Sequence, residues 1–186
     1  MTDPADARSA GVNAPAPAPV AEQGTPLSFE QLYRETFDDL FAYAATLLRD
    51  RTAAEDVVAA SFERAYRRQA SYDPRRGSRR QWLFGIARHA ALDELRRRKR
   101  HASLAAEPGV QEPALEDELA DPIRRARVRA ALAKLDARDR ELVALKYFAG
   151  LDNGEIAGVL GISASNAGTR LSRAVNRLRE ACDEQS

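Results

Sequence analysis

The chain has 186 residues, enough for one ordinary domain or two small ones. Its 29 basic and 28 acidic residues nearly cancel, so overall charge singles out no class of partner. A single cysteine, Cys182, excludes an intrachain disulfide and a cysteine-based metal site, and no run is long or apolar enough to span a membrane. The first residues lack a basic segment followed by an apolar one, so no secretory signal and a cytoplasmic location are expected.

Charge is unevenly placed along the chain. Arg79 to Arg100 holds eight basic residues and two acids, whereas Ser103 to Asp121 holds six acids and no base. A nearly neutral protein segregated in this way can still present a basic face.

Residues 1–26 are rich in Ala and Pro and poor in large apolar side chains, and are expected to form a disordered tail. A helix is expected from Ser28, with Ser28 as N-cap and Gln31 in the reciprocal capping position. Its Phe29, Leu32, Tyr33, Phe37, Leu40, Phe41, Ala44 and Leu47 follow the three-and-four spacing of an amphipathic helix. A second helix is expected from Ala53 to about Gln69, burying Val57, Val58, Phe62 and Ala65. Pro74 and Gly77 then impose a loop over Ser71 to Ser78. A third helix runs from about Ser78 through Trp82, Leu83, Ile86 and Ala90 into the basic run Arg96 to Arg100.

The acidic stretch 102–121, with Pro108, Gly109 and Pro113, cannot bury enough surface to offset its ordering and reads as a flexible linker. Helices are expected again at Ile123 to Leu135, Ala137 to about Ala149, Asn153 to Leu160, and Ala164 to about Glu180. The fold class is therefore all-α: two helical domains, at 27–101 and 122–182, joined by a flexible linker.

The last two helices fit a helix-turn-helix. Gly161 permits the tight turn and Ser163 can cap the helix after it, while Ala157 is small where two helices cross. At 100° per residue, Ala167, Leu171, Ala174, Val175 and Leu178 share an apolar arc. Ser165, Gly168, Thr169, Ser172 and Arg173 lie opposite, with Asn166 at the margin. Short polar groups and arginines on one helix face suit base edges and phosphates in a major groove. Gly154, Gly158 and Gly168 each lower helix propensity by up to ~1 kcal/mol relative to Ala. In the third helix, Trp82 and Phe84 alternate with Arg79, Arg80, Arg88 and His89. Aromatic rings among cations suit unpaired bases, although core packing alone accounts for each ring singly. No carboxylate, histidine or cysteine constellation stands at metal or nucleophile spacing, so neither catalysis nor a cofactor is expected.

Three stretches in this order resemble the bacterial sigma factors of the extracytoplasmic-function type. Ala54 to Tyr66 is similar to the family's polymerase-clamp-binding helix, Arg80 to Asp93 to its −10 melting and recognition helix, and Ala133 to Leu178 to its −35-binding domain. The resemblance implies a region 2-like domain at 27–101 and a region 4-like domain at 122–182. It also implies a factor that lends promoter recognition to core RNA polymerase. By the same resemblance, Glu55, Asp56, Ala59, Ala60, Phe62 and Glu63 would meet polymerase. Arg76, Arg79, Arg80, Trp82, Arg88 and His89 would hold the −10 DNA, and Ser165, Asn166, Gly168, Thr169, Ser172 and Arg173 the −35 DNA. Partners implied are core RNA polymerase, promoter DNA and an anti-sigma factor, without membrane insertion. The chain departs from the family pattern at Ala59 and Ala60 (usually Gln-Glu), at His89 (usually Asn), and at Asn166 and Gly168. These departures leave open a second reading, a sigma-like regulator that binds polymerase or an anti-sigma protein without initiating.

Overall fold

The computed structural model describes residues 28–102 and 122–183; the tail expected at 1–26 and, but for Ala102 itself, the linker expected at 102–121 lie outside the described residues. Helix α1 (Phe29–Leu48) begins where the Ser28 hydroxyl accepts the Gln31 N–H at 3.2 Å. The Gln31 side chain in turn accepts the Ser28 N–H at 2.8 Å, so two otherwise orphaned donors satisfy each other's termini. Helix α2 (Arg51–Arg67) starts two residues before the expected Ala53, because the Asp50 carboxylate caps it by accepting the Ala53 N–H at 3.0 Å. Two 3-10 turns, Gln69–Ser71 and Pro74–Arg76, occupy the expected loop. Helix α3 (Arg79–Ala102) follows, with the Ser78 hydroxyl accepting the Gln81 N–H at 3.0 Å.

The later elements are α4 (Pro122–Lys134), α5 (Ala137–Tyr147), α6 (Asn153–Leu160) and α7 (Ala164–Asp183). Asp136 caps α5, accepting the Arg138 and Asp139 N–H groups at 2.9 and 2.8 Å. Asp152 and Glu155 form a second reciprocal cap at α6. Gly161, at φ +69°, closes α6 in the left-handed region that a side chain would resist, and Ser163 then caps α7 through the Asn166 N–H at 3.2 Å. The turn read from the sequence is thus present with its expected chemistry. Among the described residues there is no strand.

The end of α4 is held in a different way. The Arg140 guanidinium reaches back from α5 and donates to the carbonyls of Leu132 at 2.9 Å and Leu135 at 2.6 Å, with Ala133 farther off at 3.4 Å. Carbonyls left without intrahelical partners are thereby satisfied by one side chain.

Helices α1, α2 and α3 pack on one another, and α7 packs against α4, α5 and α6. The two groups do not bury their apolar faces separately. α1 lies against α5 and α3 against α6. Leu40, Tyr43, Leu83 and Phe84 consequently belong to the same buried cluster as Leu142, Leu145 and Ile156. A smaller cluster of Leu132, Leu135, Val143 and Ala174 ties α4 and α5 to α7.

Candidate nucleic-acid interfaces

Helix α3 is covered on more than one side, and its two polar faces meet different surroundings. Trp82, Gly85, Ile86 and His89 recur at three-to-four-residue intervals and line a cavity of about 550 Å3. The rest of its lining includes Arg64 of α2, Arg68 just after that helix, Tyr72, Asp73 and Arg76 of the loop, and Asp93 farther along α3. Two residues of α6, Gly158 and Val159, complete it. The Tyr72 ring stands 5.6 Å from Trp82 and has the Arg79 guanidinium 5.2 Å from its centre, while its hydroxyl donates to the Gly77 carbonyl at 3.0 Å. His89 Nδ1 lies 2.7 Å from the Gly85 carbonyl, which can only accept, so Nδ1 carries the proton and Nε2 is the nitrogen left to engage another group.

Arg80 and Arg88 take the other course. Arg80 pairs with Asp39 of α1 and donates through Nε to the Ala149 carbonyl at 2.5 Å. Arg88 pairs with Glu141 of α5 at 2.8 Å, with side-chain exposures of 21% and 12%, so this ion pair is largely withdrawn from water. The Tyr43 hydroxyl is buried beside that pair without a hydrogen-bond partner, and burial pushes its pKa well up. Of the six residues expected at the −10 DNA, the structure brings Arg76, Trp82 and His89 to the cavity and sets Arg79 beside it on Tyr72. Arg80 and Arg88 are drawn into the seam with α5.

The cavity has further lining residues that the sequence does not single out one by one. Gln81 lies at the cavity edge and Tyr72 in its wall. The signal for Gln81 was its position one residue before Trp82 in the first turn of the helix. Tyr72 lies in the Ser71 to Gly77 loop that the family likeness sets at the −10 site, although nothing local marks it as a partner of Trp82.

On α2, Glu55, Asp56, Ala59, Ala60 and Glu63 are all exposed on one side. Phe62 is not: at 6% exposure it lies in the core, its ring 4.6 Å from Tyr33 and 6.3 Å from Phe29. Its place among the polymerase-facing residues is corrected accordingly. Its three-and-four spacing with Val58 and Ala65 already assigns it inward.

On α7 the expected faces separate cleanly. Ala167, Leu171 and Ala174 are buried, and Ser165, Asn166, Thr169, Ser172 and Arg173 are exposed. Gly168 differs from its exposed neighbours. It is half-buried, and a methyl there would sit 3.2 Å from the Asn153 amide nitrogen of α6. That position therefore lies under the start of α6 rather than open to a groove. Arg177 turns away from this face and pairs with Asp139 of α5.

An aromatic-lined cavity along α3 and a helix-turn-helix at α6 and α7 fit a two-part promoter-reading protein of the sigma-70 class. In agreement with this, sigma-70 region 2 matches residues 32–101 and sigma-70 region 4 matches residues 125–178. The extracytoplasmic-function sigma factor SigL of Mycobacterium tuberculosis is 33% identical over 151 residues, covering 80% of this chain and 85% of that protein. Two solved structures share the arrangement. The sigma factor RpoE of Bartonella quintana, in complex with the anti-sigma factor NepR, has a TM-score of 0.74 and 26% identity, over 83% of this chain and 96% of that one. CnrH, in complex with the cytosolic domain of CnrY, has a TM-score of 0.63 and 30% identity, over 85% of this chain and 89% of that one. The chain belongs to the extracytoplasmic-function sigma factors, and its function is to direct RNA polymerase to promoters. No helix among the described residues is long and apolar enough to cross a membrane.

Proposed function

We propose that the α3 cavity captures bases unpaired from the −10 strand, while α7 reads the −35 duplex and the exposed side of α2 meets polymerase. The observation that carries this reading is the cavity itself. It is large enough for a base, has Trp82 and Tyr72 as stacking partners, and is rimmed by Arg64, Arg68 and Arg76 for phosphate. Unstacking a base costs a few kcal/mol, and an aromatic pocket among cations returns about 1–3 kcal/mol per stacked base. On α7, Ser165, Thr169 and Ser172 have the reach of base edges, and Arg173 that of phosphate or guanine. On α2, Ala59 and Ala60 leave a flat strip between the carboxylates of Glu55, Asp56 and Glu63.

The protein acts in this reading as a non-catalytic initiation factor in the cytoplasm, and an anti-sigma protein restrains it as NepR and CnrY bind RpoE and CnrH. Run-off transcription with core polymerase on a library of genomic promoter fragments tests it. Discrete promoter-specific transcripts are expected. Polymerase binding without any transcript would instead support the non-initiating regulator.

A further inference from the structure

Five aromatic rings meet where α1 packs on α2. The Phe29 ring lies 5.1 Å from Tyr66 and 6.3 Å from Phe62, and the Tyr33 ring 4.6 Å from Phe62 and 5.3 Å from Phe37. Phe62 is core, but Tyr33, Phe37 and Tyr66 are 42%, 37% and 58% exposed. Phe29, Tyr33 and Phe37 stand four residues apart, so they form a strip about 12 Å long on one side of α1. None of the three exposed rings lines the α3 cavity or belongs to α7. Singly exposed rings are ordinary, whereas a contiguous group of them marks a surface that something covers.

The chain itself supplies a segment that suits this strip. Residues 1–27 lead into Ser28, and Phe29, the first ring of the strip, follows at once. Within them, Ala14 to Val20 reads APAPAPV, which carries no charge and whose alternate prolines favour the polyproline II conformation. Segments of this kind dock on aromatic-lined surfaces because they are stiff beforehand and lose little freedom on binding. At about 3.1 Å per residue, Pro15 to Pro19 extends about 12 Å, the length of the strip. With three residues per turn, Pro15 and Ala18 fall on one edge and Pro17 and Val20 on the next, so one flat side is wholly apolar. The connector Ala21 to Leu27 contains Gly24 and Pro26, which suit a reversal of the chain back along α1. Its seven residues reach about 23 Å when extended, enough for that return.

We propose that residues 14–20 dock as a polyproline strap along Phe29, Tyr33 and Phe37, with Tyr66 flanking them from α2, and so cover the chain's own aromatic surface. A segment too poor in large apolar side chains to build a core can still lie on one. Its carbonyls have no partners within a polyproline helix, and the Tyr33 and Tyr66 hydroxyls are donors placed to meet them. Because the strap is tethered, its effective concentration is in the millimolar range, so a contact too weak to hold separate molecules is occupied within one. Its occupancy does not depend on protein concentration, which distinguishes it from a second copy on the same strip. The proposal rests on none of the DNA-facing assignments.

The full chain tests this through its five tyrosines, supplied as 3-fluorotyrosine and read by fluorine NMR. Pro15→Gly, Pro17→Gly and Pro19→Gly together keep the length and attachment of the segment but remove its stiffness, and docking about ten-fold weaker is expected. These substitutions precede α1, so helicity by circular dichroism should stay as in the parent. Between parent and variant the Tyr33 and Tyr66 resonances should move, and those of Tyr43, Tyr72 and Tyr147 should not. A nitroxide at position 16, introduced by Ala16→Cys in a Cys182→Ser background, sits on the edge turned away from the strip. It should broaden Tyr33 and Tyr66 strongly in the parent, and the three glycine substitutions should remove most of that broadening. Resonances that stay in place, or broadening equal in the two chains, overturn the strap. A mixture of nitroxide-bearing chains without fluorine and fluorinated chains without nitroxide should show no broadening. Broadening in that mixture places the segment on a second copy and overturns the intramolecular strap.

Discussion

Helices α3 and α7 both carry arginines and hydrogen-bonding side chains, but α7 presents its set to solvent whereas Arg80 and Arg88 of α3 are drawn into a seam with other helices. The apolar arc of α7 rests on α4, α5 and α6, and Ser165, Thr169, Ser172 and Arg173 are left bare. The apolar side of α3 rests on α1 and α2, and its polar side is then met by α5 and α6. What differs is the chemistry of the second contact. Glu141, Glu155 and the Ala149 carbonyl are acceptors, which suit Arg88, Ser78 and Arg80 as DNA would. Partial burial on α3 therefore marks engagement by another part of the chain, whereas burial on α7 marks core.

The contrast can be broken most forcefully through the shared core. Leu145→Ala empties a fully buried position in the cluster common to both units, and a loss of about 2–5 kcal/mol is expected in denaturant unfolding. Both units should unfold in one transition at lower denaturant; a loss confined to the α4–α7 signal would show that the cores are energetically separate. Next in size is Trp82→Ala. Removing a stacking partner worth about 1–3 kcal/mol should reduce run-off transcription roughly 5- to 150-fold, while duplex −35 binding stays as it was. Arg173→Ala should do the reverse, weakening −35 duplex binding while single-stranded −10 capture persists. If the guanidinium meets phosphate, the salt slope of binding should fall by about one.

Acid should act on both units alike. Asp50 is held below the ordinary carboxylate range chiefly by the Ala53 N–H, with Arg98 assisting, and Asp136 chiefly by the Asp139 N–H. Glu94 is lowered chiefly by its hydrogen bond from Arg97. A depressed folded-state pKa gives stability that is present above the unfolded value and lost as pH falls through the folded one. The melting temperature should hold near neutrality and drop below about pH 4.5. Smallest of all is the effect at Gly168. Asn153 can yield because only the tip of an exposed side chain stands in the way, so Gly168→Lys should fold and raise −35 affinity less than two-fold. A rise in salt slope by a full unit would show that position 168 reaches phosphate after all.

Much of this architecture is legible in local sequence because the forces that write it are local. The caps at Ser28 and Ser163, the Gly161 turn and the two faces of α7 depend on spacings of four residues or fewer. The residues proposed for −10 and −35 DNA can be chosen from sequence only as far as helical periodicity and family likeness reach. Trp82 and His89 could be placed on one face, but the cavity lining at Arg64 and Tyr72 comes from other elements. Phe62 was read as both core and contact surface, a conflict that packing resolves inward. The seam was not legible at all. Ser78 and Glu155 lie 77 positions apart, and Arg88 and Glu141 lie 53 apart. No periodicity connects residues across the intervening acidic stretch, and Gly158, taken from sequence, is merely a weak helix former.

The Arg140 guanidinium at the end of α4 has a consequence for the way the protein comes apart. The starts of α2 and α5 are held by the carboxylates of Asp50 and Asp136, which acid neutralises. The end of α4 is held by a cation. Burial lowers the Arg140 pKa from its ordinary value, but an arginine stays charged in acid, and a proton added to the medium cannot remove it. Acid unfolding should therefore have a direction. The first turn of α2 frays as Asp50 is protonated, and the end of α4, held by Arg140, keeps its own clasp longer.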